Sequence, residues 1–239
     1  MMALLGFGEN GWGPLIVSAA CMTFLLSLAA LVVGAVVGSG VAAAKLSPVK
    51  LMRVAGEGYS VVFRGIPELL ILYLFYFGGS GVVTWAGHLF GASGFIEVPP
   101  FLIGALAIGL ISGSYQGEVF RAARLAVSHG DIEAAQAMGM LPWCIRRRIV
   151  APQIIRYALP AMSNIWQMTL KDSALISVTG VVELMRASQV AAGSTHQYFT
   201  FYLVGGGCYL VLTVLSNSAF KRAEQRMGRG WQGHGAAQY

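Results

Sequence analysis

The sequence predicts an all-α, polytopic membrane protein with about five transmembrane helices. Of its 239 residues, 56% are hydrophobic and only 11% are charged, whereas soluble domains usually carry about 25% charged residues. Apolar stretches long enough to cross a bilayer, about 17 to 25 residues each, recur along the chain. Such a composition does not provide a water-soluble surface, so we expect one integral membrane domain over residues 1–225.

The predicted transmembrane spans cover residues 15–44, 69–85, 99–117, 162–182 and 199–220. Small residues in the first span, including Gly34, Gly38 and Gly40, suit close helix packing in lipid. No Lys or Arg precedes Lys45, so this span lacks the basic region of a cleavable signal peptide and we expect it to be retained. Near its end the chain turns to Gly, Gln and Ala, which predicts a disordered cytoplasmic tail over residues 226–239.

Basic residues are concentrated in alternate connections between the spans. Lys and Arg lie between spans one and two, between three and four, and after five, whereas the opposite connections contain only Arg186. By the positive-inside rule, the N-terminus is outside and the C-terminus is cytoplasmic. We therefore interpret the formal net charge of +6 as membrane orientation rather than nucleic-acid binding.

The most polar stretch, residues 118–160, lies on the predicted cytoplasmic side and is expected to form short helices. Asp131 can cap a helix N-terminus. Glu133 then lies in the first turn, where a negative charge favours the helix dipole. Gly139 either ends this helix or permits a close approach.

A second short helix is predicted to start at Pro142, with Ile145 and Ile149 on one face. A thin cytoplasmic helix with one apolar side suits insertion into the groove of a partner protein. Taken alone, the same residues also describe an ordinary solvated helix start with a glycine cap. The motif becomes informative through its wider resemblance.

This stretch resembles the EAA loop of permease subunits in binding-protein-dependent type I ABC importers. The residues that carry the resemblance are Glu133, Ala134, Ala135, Gly139, Ile149 and Pro152. Ala151 departs from the family pattern, which favours a larger apolar residue there. Segments 64–68, 156–160 and 171–175 extend the similarity to the polar amino acid branch, especially to permeases for histidine, lysine, arginine and ornithine or for octopine and nopaline.

The resemblance implies a multi-pass permease of the bacterial inner membrane, with a periplasmic N-terminus, that forms part of a pathway for basic amino acids or opines. It implies that the loop docks on a dimer of ABC ATPase subunits, which use ATP and Mg, while this chain binds no cofactor. A second permease subunit, related or identical, and a periplasmic solute-binding protein would complete the transporter. Consistently, the sequence contains no G-x-x-x-x-G-K-[ST] phosphate loop, so another chain must bind ATP.

Ionisable residues inside the predicted spans point to a substrate pathway, because such residues are costly in lipid and face a bundle interior or a wet cavity. Lys171, Asp172 and Ser173 lie in span four, and Glu68 lies at the inner end of span two. Asp172 either attracts the cationic group of a substrate or forms a structural ion pair between subunits. Glu68 either pairs with Arg64, four residues earlier, or takes part in gating.

Two other classes of function are weighed against the permease. A membrane-embedded enzyme could use Ser39, Ser80 or Ser114 as a nucleophile, but no His is placed within a span to act as the base. An ion-coupled carrier or channel would work alone, without ATP. The four histidines lack metal-ligand spacing, so no metal site and no catalytic residue are expected.

Overall fold

The computed structural model describes residues 6, 8, 11–91, 93–94 and 96–228, and the chain over these residues is organised in α-helices. In chain order they are α1 (Gly13–Lys45), α2 (Lys50–Gly65), α3 (Glu68–Leu89), α4 (Pro100–Leu125), α5 (His129–Ala137), α6 (Pro142–Ile145), α7 (Ala151–Asp172), α8 (Leu184–Thr195) and α9 (Tyr198–Gly228). A π-helical turn (Arg146–Val150) joins α6 to α7, and a 3₁₀ helix (Ser173–Thr179) follows α7.

Four helices, α1, α3, α4 and α9, are long and apolar enough to cross a membrane. The bent pair Pro142–Thr179 and Leu184–Thr195, whose axes differ by 51°, meets the same criterion when taken together and brings the number of candidate crossings to five. The prediction of an all-α membrane protein with about five spans is therefore confirmed.

Several helices extend beyond the predicted spans. Helix α4 continues to Leu125 rather than ending at residue 117, and α7 begins at Ala151 rather than 162, so the polar segment between them is shorter than predicted. Helix α9 continues to Gly228, so residues 226–228 are helical, and residues 229–239 lie outside the described part of the chain. Polar residues end an apolar span but do not end a helix, which explains these differences.

The predicted span over residues 162–182 is helical as far as Thr179, but it is not one straight α-helix. Helix α7 ends at Asp172, and after the 3₁₀ helix the backbone turns at Gly180 with φ of +87°. This left-handed conformation favours glycine and breaks the helix. Residues 184–195, which the sequence assigned to a connection, form α8 instead, and α2 was not predicted at all.

Close contact between α1 and α4 forms the centre of the bundle. A Cβ atom on Gly38 would lie 2.9 Å from the backbone nitrogen of Gly117, and Gly34 lies directly against Gln116. The same close packing occurs along α4, where Gly109, Gly113 and Gly117 contact Val33, Val37 and Val41 of α1, respectively. The predicted packing role is confirmed for Gly34 and Gly38, whereas Gly40 faces open space.

Helix α2 lies against the ends of α1 and α4 through a narrow face. Gly56 and Ser60 are buried there, while large apolar residues such as Leu51 remain exposed on the opposite face. The Tyr59 hydroxyl donates a 2.6 Å hydrogen bond to the carbonyl of Leu110 in α4. Burial raises the pKa of Tyr59 to about 12, so the hydroxyl keeps the proton that it donates.

Candidate functional site

The predicted coupling segment covers residues 118–160, and its first short helix, α5, is tied to the bundle by its first turn. Ser128, in an extended conformation, precedes the helix, and its side chain makes no capping hydrogen bond. Asp131 is the third helical residue rather than the cap, so the predicted capping role is wrong. Its Oδ2 atom instead accepts a 2.8 Å hydrogen bond from Nε2 of Gln153 in α7. This contact joins the coupling segment to the span that follows it.

Gly139 ends α5 in a specific backbone arrangement. Its φ is +75°, in the left-handed region. The Gly139 N–H donates to the Gln136 carbonyl at 2.9 Å, and the Met140 N–H donates to the Ala135 carbonyl at 3.1 Å. These two bonds are the pair that defines a Schellman motif. Because a Cβ at Gly139 would meet nothing within 4 Å, glycine is required here for its conformation, and the bulk of a larger side chain is not opposed within this chain.

The apolar side of α5 packs within the chain rather than remaining open to a partner. Ala135 is buried in a small cluster with residues from the π-helical turn and its flanks. The other buried members are Val127, Ile145 and Val150, and Ile132, Met140, Ile149 and Ile154 pack against them. Ala135 and Ile149 therefore hold the coupling segment together, and the expectation that this apolar side would lie in a partner's groove is corrected.

Glu133, Ala134, Gly139 and Pro152 are the predicted coupling residues that remain exposed. Beside them lie three large apolar side chains that the sequence reasoning did not select. Met138 is 83% exposed, Leu141 is 70% exposed and Trp143 is 68% exposed. We call these three residues the apolar tip. The sequence could have indicated that these side chains are exposed, because they lie around the turn at Gly139 and the helical periodicity of apolar residues assigns none of them to the core.

Two of the four predicted pathway residues are brought together. Glu68 begins α3 and Asp172 ends α7, and their carboxyl groups lie side by side. Ser173 is fully buried and donates a 2.7 Å hydrogen bond to the Leu170 carbonyl, whereas Lys171 is exposed. We call the Glu68–Asp172 pair the acidic point of the candidate pathway.

The local ion pair between Arg64 and Glu68 is not formed. Arg64 Nη2 lies 2.9 Å from Oε1 of Glu118 instead. The same carboxylate contacts Lys45 and, through Oε2, lies 3.0 Å from Nε of Arg121. Lys45, whose side chain is 1% exposed, also lies 3.0 Å from Glu57. This cluster joins α1, α2 and α4. Apart from Glu118 and Arg121, which are three residues apart, its members are too distant in sequence for a local pattern to reveal their contacts.

Comparison with known proteins gives consistent matches over most of the chain. Residues 34–229 match the protein family described as "Binding-protein-dependent transport system inner membrane component". The chain is 50% identical over 229 residues to the octopine transport system permease protein OccQ of Rhizobium radiobacter, a match covering 96% of this chain and 97% of that one. It is 36% identical over 220 residues to the histidine/lysine/arginine/ornithine transport system permease protein HisQ of Escherichia coli strain K12, covering 92% and 96%.

A solved structure also matches. The crystal structure of an amino acid ABC transporter with histidines is similar over 90% of this chain and 95% of that chain, with 31% sequence identity and a TM-score of 0.74. The family match over residues 34–229 contains the whole of the predicted coupling segment, residues 118–160.

Proposed function

The chain belongs to the family of binding-protein-dependent transport system inner membrane components, and on that premise we propose that it is the permease subunit of an ATP-driven importer for basic amino acids or opines. It contributes part of the translocation pathway and performs no chemical step itself. The family membership confirms the resemblance predicted from the EAA loop.

The apolar tip supports docking to an ATPase. Met138, Leu141 and Trp143 surround a rigid turn and are more than two-thirds exposed, although burying such side chains is favourable. An apolar anchor held by a fixed backbone suits a groove on a cytoplasmic partner, because little side-chain and loop freedom is lost on binding. Glu133, Ala134, Gly139 and Pro152 lie exposed in the same segment and complete this proposed contact surface.

The proposed energy source and the remaining partners are those that the family implies. A dimer of ABC ATPase subunits binds ATP and Mg, and its closure moves the spans between inward-open and outward-open arrangements. A second permease subunit, related or identical, completes the pathway, and a periplasmic solute-binding protein delivers the substrate. The chain lies in the bacterial inner membrane with its N-terminus in the periplasm and its C-terminus in the cytoplasm.

The substrate class is supported by the acidic point of the pathway. Two neighbouring carboxylates repel each other, so a cationic group placed beside Glu68 and Asp172 is favoured. Basic amino acids and opines derived from them carry such a group, and the relatives named above are described as transporters of octopine or of histidine, lysine, arginine and ornithine. In this role Asp172 and Glu68 attract the cation, Ser173 supports the backbone beside them, and Lys171 lies at the edge.

Reconstitution tests the proposal directly. The permease is incorporated into liposomes with its ATPase, the second permease and the binding protein, and uptake of labelled arginine and octopine is measured with and without ATP. We expect uptake of at least one of them only with the complete complex and ATP. Flux through the permease alone, or ATP-independent uptake, would instead identify a carrier or channel. A complex that hydrolyses ATP but transports neither compound would refute the proposed substrate class.

A further inference from the structure

We propose that Glu183 is a positioning residue of the translocation pathway, whose buried carboxylate holds the bend between α7 and α8 and thereby sets the position of Asp172 and Ser173. This inference rests on the proposed function, because it assumes that the segment at Asp172 meets the substrate. Glu183 lies eleven positions after Asp172 in the sequence, on the far side of the 3₁₀ helix, and none of the roles described above involves it.

Glu183 caps helix α8. It is the residue before the helix, and its carboxylate accepts hydrogen bonds from the backbone N–H groups of Met185 at 2.8 Å and Arg186 at 2.7 Å. Short side chains such as Ser, Thr, Asp and Asn are the usual caps. A glutamate is longer than capping alone requires, and its additional length brings the carboxylate to other helices.

The same carboxylate connects three parts of the bundle. Its Oε2 atom accepts a 2.9 Å hydrogen bond from the Tyr209 hydroxyl of α9. The hydroxyl of Thr23 in α1 lies beside it and accepts a 3.0 Å hydrogen bond from the Leu184 N–H. The Ser173 hydroxyl in turn lies beside the Tyr209 hydroxyl. Thr23, Ser173 and Glu183 are each 0% exposed, so these contacts are made away from solvent.

Burial explains why this network must remain complete. A carboxylate inside a membrane protein is costly unless donors surround it, and the two backbone amides and the tyrosine hydroxyl provide those donors. Non-helical backbone at membrane depth is tolerated where it is buried in protein or lines a water-filled cavity. Between α7 and α8, alternating parts of the segment are buried, at Ser173, Ile176, Ser177, Thr179 and Glu183, while Val178 and Val182 are about half exposed. The network therefore stabilises the bend that separates α7 and α8.

The bend transmits this constraint to the pathway. Ser173 begins the 3₁₀ helix and directly follows Asp172, and Gly180 provides the left-handed turn before Glu183. One end of this short segment is held by Glu183, and Ser173 at the other end lies beside the Tyr209 hydroxyl that Glu183 binds. Loss of the carboxylate would leave the angle between α7 and α8 less restricted and would move the Asp172 carboxyl from its place beside Glu68.

The test uses the complete reconstituted transporter with Glu183→Gln and, as a second variant, Tyr209→Phe. Glutamine keeps the shape of the side chain but has one acceptor oxygen, so one backbone N–H loses its partner. We expect Glu183→Gln to assemble with the ATPase and to raise the KM for arginine or octopine, whichever the wild type transports, by about tenfold. Backbone hydrogen exchange over residues 173–190 should become faster. Tyr209→Phe should change both quantities in the same direction but less.

Ser188→Ala is the matched control, because Ser188 is also buried in α8 but its hydroxyl donates to the Leu184 carbonyl of the same helix at 2.8 Å. It should leave KM unchanged. An unchanged KM in Glu183→Gln, even with faster exchange, would overturn the positioning role, as would an equal rise in Ser188→Ala. If the wild-type complex transports neither substrate, the proposed function fails, and exchange over residues 173–190 then tests the network separately: a rate equal to wild type in Glu183→Gln overturns it.

Discussion

At the residue scale, the neighbouring carboxyl groups of Asp172 and Glu68 suit either a binding role or a structural one. Neither residue forms a salt bridge within the described part of the chain. Arg64, the expected partner of Glu68, is bound to Glu118, and Lys171 acts on Asp172 only through the electrostatic effect of its charge. A cation supplied from outside the chain is therefore the natural partner of this pair. It can belong to a substrate or to a neighbouring subunit, and the two origins predict different effects of mutation.

Asp172→Asn is expected to raise the KM for a cationic substrate by about tenfold, since a hydrogen bond to a charged group typically contributes about 1.5 to 3 kcal/mol. Assembly and basal ATP hydrolysis should remain close to wild type. Concentration-dependent uptake and co-purification of the ATPase provide the measurements, with Glu224→Gln, a carboxylate of α9 to which no role is assigned, as the control. Poor assembly combined with a normal KM in the surviving complexes would show that Asp172 pairs with a subunit rather than with substrate.

Gly139 is constrained by its backbone conformation alone. An L-residue with a side chain costs about 1 to 2 kcal/mol in the left-handed conformation, whereas Asn adopts it more readily. We expect Gly139→Ala to weaken ATPase co-purification and coupled uptake while membrane insertion stays normal, and Gly139→Asn to retain more of both. Equal behaviour of the two variants would contradict the conformational explanation, and wild-type coupling in Gly139→Ala would show that this turn is not the coupling element.

At the element scale, the coupling segment combines an internal apolar cluster with an exposed apolar tip. Ala135 and Ile149 face the cluster, so substitutions there should disturb the segment itself. Trp143 and its neighbours face outward, so substitutions there should disturb only a contact with a partner. Substitutions in the cluster and in the apolar tip therefore test folding and the proposed docking separately.

Trp143→Ala should weaken binding of the ATPase by about tenfold or more, because buried tryptophans are frequent hot spots that contribute about 2 kcal/mol or more. Trp85→Ala is the matched control, since Trp85 is 66% exposed and Trp143 is 68% exposed, but Trp85 lies on α3, away from the coupling segment. Affinity of the detergent-solubilised permease for the ATPase is measured for both variants. The same loss in both, or in neither, would exclude the apolar tip as the docking surface.

At the scale of the whole molecule, the distribution of Lys and Arg predicts the orientation of the chain in the membrane. The geometry of the helices does not determine this orientation. A reporter active only in the cytoplasm is expected to give signal when fused after Arg229 and no signal when inserted near Ala92. The expectation rests on the retention of Lys and Arg at the cytoplasmic side. Signal from the insertion near Ala92 together with silence after Arg229 would reverse the orientation.

The number of candidate crossings, the helical class and the glycine that ends α5 were all accessible from the order of residues. Each crossing must be apolar along its length, and the glycine that ends α5 is recognised by its position after a helical stretch. These properties are local, so neighbouring residues are enough to specify them. The family resemblance, based on residues 133–152, was local in the same sense.

Contacts between distant segments were not accessible in that way. Three such contacts join residues from different helices: Glu68 beside Asp172, the ion pair of Arg64 with Glu118 instead of Glu68, and the network around Glu183. The sequence analysis also missed the break after α7, because an apolar stretch is compatible with a bent span as well as with a straight one. Hydropathy indicates whether a segment can enter lipid. The direction of a helix and the partners of its polar groups depend instead on how the helices pack against one another.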